Sequence, residues 1–223
     1  MILGDLLGAL RRKLDDEVEP YLWPDDELVE YLNDSVEKLC EDALCMVDST
    51  TAALCSIAVK EGIKSYALDA RILGIKRAAL EGGFGVLTGV TMEYLDACYG
   101  SNWEDMEGSP VHYVTDSDSG RLRLFPTPAN DDTLRLTAYR LPLSELSASK
   151  TDETPEVGRR YHRRLIDGVL ARAYEKTDAE TYDPDRAEKH LELWLKCIED
   201  VRMERVRAEY DPLSGGAFFR GVV

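Results

Sequence analysis

The segment 121–143, RLRLFPTPANDDTLRLTAYRLPL, contains two runs, RLRLF and TLRLTAY, in which apolar and polar residues alternate strictly. Successive side chains of a strand point to opposite faces, so this period specifies two half-buried strands. Leu122 and Leu124 share one face. Leu134, Leu136 and Ala138 pack on the same side if the proline-rich turn between the runs closes a hairpin. Arg121, Arg123 and Arg135 then stand together on the outward face, where Arg123→Glu leaves folding intact.

The chain on either side follows a different period. Residues 2–16 form an amphipathic helix with Ile2, Leu3, Leu6, Leu7, Leu10 and Leu14 along one face. A stronger helix opens at Pro24, with Asp25 or Asp26 as cap, and carries Leu28, Tyr31, Leu32, Ser35, Leu39, Ala43 and Val47 at helical spacing. From about Leu54 to Arg140 the period shortens toward two. LCSIAVKEGIKSYALD reads as two strands around Glu61-Gly62, ARILGIKRAAL as a third, GGFGVLTG as loop and TMEYLDACYG as a short helix opening at Thr91. A hairpin around 116–120 precedes the quoted segment, and the whole suits an antiparallel sheet or small sandwich. After the polar linker SELSASKTDETP, helices are expected over about 156–176, with Tyr161, Leu165, Val169 and Ala173 in register, and 185–210, with Ala187, Leu191, Trp194, Ile198 and Val201 on one stripe. The expectation is an α+β fold: N-terminal helices (1–50) and C-terminal helices (144–212) of one bundle, a β insertion between them (51–143), and an extended tail (213–223).

The formal net charge of −16 on 223 residues repels phosphate and argues against tight duplex binding. It is unevenly spread. Residues 1–48 hold 14 acids against 4 bases, whereas 155–175 hold 5 arginines against 3 acids. MILGDLLGALRRK places its positive charges after the apolar residues, the reverse of a secretory signal, and no apolar run is long enough to span a bilayer. Five cysteines, Cys40, Cys45, Cys55, Cys98 and Cys197, fall largely within apolar patterns, consistent with a reducing cytoplasmic site of synthesis.

Motifs for catalysis are weak. With Gly83 and Gly85 as the first pair of a dinucleotide fingerprint, the third glycine falls on Thr88, and no strand–turn–helix context follows. DSDSG (116–120) opens like a calcium loop, but the bidentate acid at its twelfth position falls on Thr127. His112, His162 and His190 lie on separate elements without metal spacing, and Cys40 with Cys45 lacks a second cysteine pair. No catalytic residue, cofactor or metal is expected. A ligand-binding or enzymatic α+β domain using the glycine-rich loop 82–89 remains the competing reading.

Two features point to contacts with other chains. RRYHRR places Arg159, Arg160, Arg163 and Arg164 on the first turns of a helix, where positive charge opposes the dipole; a solvated face is the alternative. The tail GGAFFRGVV carries Phe218, Phe219, Arg220, Val222 and Val223, and its apolar residues need either a docking surface or their own core unless the strip is disordered.

YLWPDDELVEYLNDSVEKLCEDA resembles the opening helix of tailed-bacteriophage head-to-tail adaptor proteins. LRLFPTPANDDTLRLTAYRLP is similar to their strand, Pro-x-Pro turn and strand, and PEVGRRYHRRLIDGVLARAYEKTD to their following helix. The resemblance runs from about Tyr21 to Trp194 and implies a structural virion protein, not an enzyme. Such adaptors form a ring beneath the portal, extend the DNA channel and receive the tail or nozzle protein. Their C-terminal segment reaches the portal, here the strip Phe218–Val223. Implied partners are further copies of the chain, twelve by analogy with portals of that symmetry, the portal, and genomic DNA that passes without specific binding; no membrane is involved. Location would be the virion's head–tail junction, after assembly in the host cytoplasm. Within the ring, Arg121, Arg123, Arg135, Arg159, Arg160, Arg163 and Arg164 would face the neighbour's acids, Asp25, Asp26 and Glu30 among them.

Overall fold

The computed structural model describes residues 1–83, 85–100, 102–178 and 180–210. In chain order its helices are α1 (Leu3–Leu14), α2 (Asp25–Ala43), α3 (Ala52–Cys55), α4 (Met92–Tyr99), α5 (His162–Glu175) and α6 (Pro184–Tyr210). Its strands are β1 (Val47–Asp48), β2 (Ser56–Val59), β3 (Ser65–Ala67), β4 (Ile72–Leu80), β5 (Val86–Gly89), β6 (Glu107–Gly108), β7 (His112–Val114), β8 (Arg121–Phe125), β9 (Thr127–Pro128) and β10 (Asp132–Arg140). The α+β chain divides into a helical unit, Met1–Cys45 with Pro142 onward, and a β unit, Met46–Leu141.

In the helical unit α1, α2 and α6 each pack on α5. The expected stripe of α1 is buried from Leu3 to Leu14, although Ile2 stays exposed. At the start of α2, Pro24 fixes the chain and Asp25, Asp26 and Glu27 complement the helix dipole, but no side chain caps the amides. Val47 lies beyond the helix: Leu44 turns left-handed at φ 50°, ends α2, and sends Val47 into β1, half exposed. A short 3-10 turn, Arg159–Tyr161, precedes α5, which starts later than its sequence pattern suggests. Gly168 on α5 permits close helix approach, since a Cβ there would lie 2.7 Å from Ser35 Oγ on α2 and 3.0 Å from the Trp194 ring on α6. Along α6, Ala187, Trp194, Cys197, Ile198 and Val201 are buried, whereas Leu191 faces outward.

The β unit is a curled, mostly antiparallel sheet in the order β1-β10-β4-β5-β7-β8-β3, with β2 also paired to β10. The β5–β7 pair and the small separate β6–β9 pair are parallel. Alternation placed the leucines correctly: Leu122, Leu124, Leu134 and Leu136 share one core with Val59, Tyr66 and Leu80. The expected hairpin is corrected. β8 pairs with β3 and β7, β10 with β1, β2 and β4, and three strands separate them in sheet order. Curling the sheet brings the two leucine faces together without direct pairing. Likewise β2 and β3 flank the Gly62 turn (φ +72°) without pairing to each other, and residues 86–89, read as loop, form β5. The β7–β8 hairpin and α4, whose Thr91 hydroxyl accepts the Tyr94 amide at 3.2 Å, are as expected. Leu95 of α4 joins Trp103, Val114 and Phe125 in a second cluster.

Candidate functional site

The three strand arginines do not form one outward patch. Arg121 donates to Ser65 Oγ at 2.8 Å and to the Ser65 carbonyl at 3.0 Å on the adjacent β3. Arg123 is only 9% exposed; it lies 4.4 Å over the Trp103 ring and pairs with Glu104 at 3.2 Å. Arg135, across the sheet order on β10, pairs with Glu81 at 2.6 Å, with both side chains half exposed. The face opposite the leucines is thus partly covered, and each arginine serves a local partner.

This corrects the expected tolerance of Arg123→Glu. The hydrogen bond from Arg123, more than its charge alone, holds the Glu104 carboxyl below its usual range. A glutamate at 123 would confront that carboxylate beside Trp103. We expect Arg123→Glu to lower stability by about 2–3 kcal/mol and Arg123→Lys by less, measured by urea denaturation.

The helical unit holds the other candidates. Arg160 lies 4.6 Å over the Tyr161 ring and 3.6 Å from Glu204, an exposed and therefore weak pair. Arg159 and Arg163 are exposed and make no ion pair among the described residues. Arg164 is half-buried, and its Nη1 finds no hydrogen-bond partner among those residues. Of the acids, Asp26 and Glu30 are exposed without an ion pair there, but Asp25 accepts from Arg11 at 2.5 Å. Arg11 also donates to Asp16 at 2.9 Å and to the Trp23 carbonyl at 3.1 Å, and stacks 3.3 Å over Tyr21. This buried network was missed, although its signal is visible: Arg11 falls four residues after Leu7, on the stripe of α1. Leu191 and Leu195, four apart on α6 and both exposed, were missed as a surface pair.

In the β unit the Asp48 carboxylate is buried and meets several donors. Burial raises its pKa, but the Thr50 amide at 2.8 Å, the Thr51 hydroxyl at 2.7 Å and amide, and Arg140 at 2.8 Å outweigh it and hold the carboxyl well below the usual range. A depressed pKa adds stability that is present above the unfolded value and lost as pH falls through the folded one. Asp48→Asn should therefore flatten the fall of melting temperature below about pH 4.

The glycine-rich segment adjoins a cavity of about 220 Å³ lined by Gly82, Gly83, Pro110, Pro128 and Asp132, among others. Its polar groups face one another. The Gly82 amide donates to Asp132 at 3.1 Å, and Asp131 takes Lys60 at 2.6 Å and the Glu61 amide at 2.9 Å. The strand β5 then leads into β-pairing, not the phosphate-cradling turn and helix a dinucleotide requires. The tail residues Phe218, Phe219, Arg220, Val222 and Val223 lie outside the described residues.

No helix of the described residues is long and apolar enough to cross a membrane. Residues 1–216 match the family model described as SU10 adaptor protein. No curated protein matches the chain.

Proposed function

The chain belongs to the SU10 adaptor protein family, a phage head-to-tail adaptor family, and from that membership we propose that it forms a ring beneath the portal that extends the DNA channel and joins capsid to tail. The whole-length family match is the observation that carries this reading. The charge distribution supports it. Exposed Arg159 and Arg163, with Arg160 and Arg164 beside them, complement exposed acids such as Asp26 and Glu30, and opposite patches on each subunit are what a closing head-to-tail contact needs. Asp25, Arg121, Arg123 and Arg135 have local partners and contribute less to such a contact. Leu191 and Leu195 on α6 add apolar area for a neighbour. The acidic surplus suits a channel along which DNA slides without sticking.

At a net charge of −16 the subunits repel one another, so the isolated protein should be monomeric or weakly associated at low salt. Portal would raise the local concentration and organise the ring, twelve subunits on a portal of that symmetry. Native mass spectrometry with and without portal tests this; a stable dimer that ignores portal, with no higher ring in its presence, would overturn it. The C-terminal strip is assigned to the portal contact and the opposite end of the ring to the tail or nozzle protein. Deleting residues 214–223 is expected to leave circular dichroism and melting nearly unchanged while weakening portal capture at least tenfold, about 1.4 kcal/mol. Loss of the fold on deletion would place those residues in the subunit's own core.

A further inference from the structure

The sheet face opposite the leucines differs between its two halves. Over β7 and β8, Leu95 of α4 and Trp103 pack on Val114 and Phe125. Over β2, β10 and β4, the same face carries Ala58, Arg135 and Arg77, all exposed. Ala58 points there because its neighbours Ile57 and Val59 belong to the leucine core. Arg77 lies opposite Thr137 and Arg135 opposite Ala79, so the two arginines occupy diagonal positions on adjacent strands. Arg135 pairs with Glu81, whereas Arg77 makes no ion pair among the described residues. Residues 71–80 as a whole hold three bases and no acid.

The complementary chemistry sits on α4 and the segment after it. Leu95 is fully buried and fixes the helix to the sheet, while Tyr94 and Tyr99 stay 47% and 42% exposed. Residues 91–118 hold seven acids and neither lysine nor arginine. Of these acids, Glu93, Asp105 and Glu107 are exposed without an ion pair among the described residues. An exposed ion pair alone is weak. Tyrosine adds apolar area with a polar tip, is enriched in protein interfaces, and attracts a guanidinium to the face of its ring.

We propose that α4 of one subunit docks on the β2–β10–β4 face of the next, with Tyr94 and Glu93 meeting Arg77. The occupant is a second copy of this chain, because that copy supplies both the acid-and-tyrosine patch and the basic sheet face. The proposal rests on the ring reading above and adds to it a contact between β units, separate from the one through the helical units. Since the two patches differ, repeating the contact head to tail continues it from subunit to subunit.

The native Cys98, exposed on α4, provides the test. Full-length Ala58→Cys, mixed from isotope-labelled and unlabelled protein, is assembled on portal and treated with a short bismaleimide. The expected result is a ladder extending beyond dimers on denaturing gels, with peptides containing positions 58 and 98 joined between labelled and unlabelled chains. Ala58→Cys keeps Arg77, so the cross-link reads the unaltered charge pattern. In otherwise wild-type protein, Arg77→Glu sets a like charge against Glu93 and should raise the subunit concentration needed for assembly about tenfold, with melting unchanged. A ring on portal seen by native mass spectrometry without the 58–98 link overturns this contact and leaves the ring reading standing. Links confined to single chains, a ladder that stops at dimers, or unchanged assembly of Arg77→Glu overturn it as well. Absence of any ring on portal removes both readings together.

Discussion

Leu136→Asp is expected to unfold the β unit, and Leu124→Asp to do the same. Both side chains are at most 2% exposed, and both belong to the core formed where the sheet curls. Truncating such a leucine alone costs about 2–5 kcal/mol. A carboxylate without a partner adds several more, enough to exceed the roughly 5–15 kcal/mol that holds a typical domain. Hydrogen exchange on the full chain should show protection lost across 46–141. Arg135→Gln is the matched control one residue away. It removes only an exposed pair with Glu81, worth about 0–1 kcal/mol. Retained protection in either aspartate variant would mean that these leucines do not share a core.

The second large effect belongs to Arg11. Its guanidinium and the Asp16 carboxylate are 9% and 3% exposed, so Arg11→Met strands a buried charge. We expect a loss of about 3–5 kcal/mol. Asp16 also accepts the Leu22 and Trp23 amides, at 2.9 and 3.2 Å, and so ties the loop between α1 and α2. Adding Asp16→Asn removes the stranded charge while keeping an acceptor for one of these amides. The double variant should therefore recover part of the loss, giving a coupling of about 1–3 kcal/mol in a double-mutant cycle. Strict additivity would show that the two groups do not act as a pair.

These cases indicate what alternation can and cannot convey. A period of two says which side chains share a face, and it sorted Leu122, Leu124, Leu134 and Leu136 correctly. Partner strands are set by contacts far away in the chain, so the Pro-x-Pro segment looked like a hairpin turn although its residues 127–128 pair with β6. Nor does alternation tell whether the second face is open. Arg123 does lie opposite the leucines, but Trp103, more than fifteen residues upstream, covers it. The helices were easier to read because their apolar stripes are local. Leu191 fell outside the buried set because a stripe drawn from spacing is wider than the strip α5 covers. The basic and acidic candidates were legible as charges, while their pairings depended on the fold.

The helical unit is assembled from both ends of the chain, and this orders events during synthesis. The α1 and α2 leucines leave the ribosome first, but α5, on which both helices pack, follows the entire 46–141 segment. At roughly 5–20 residues per second, that interval lasts on the order of 5–20 s. For that time the nascent polypeptide displays the apolar faces of α1 and α2 without α5, whereas the β segment has all its strands as soon as the interval ends. Exposed apolar surface of this kind is prone to aggregation until its mate arrives. The insertion thus delays closure of the very unit that encloses it, making translation speed through residues 46–141 a determinant of how much protein reaches the particle.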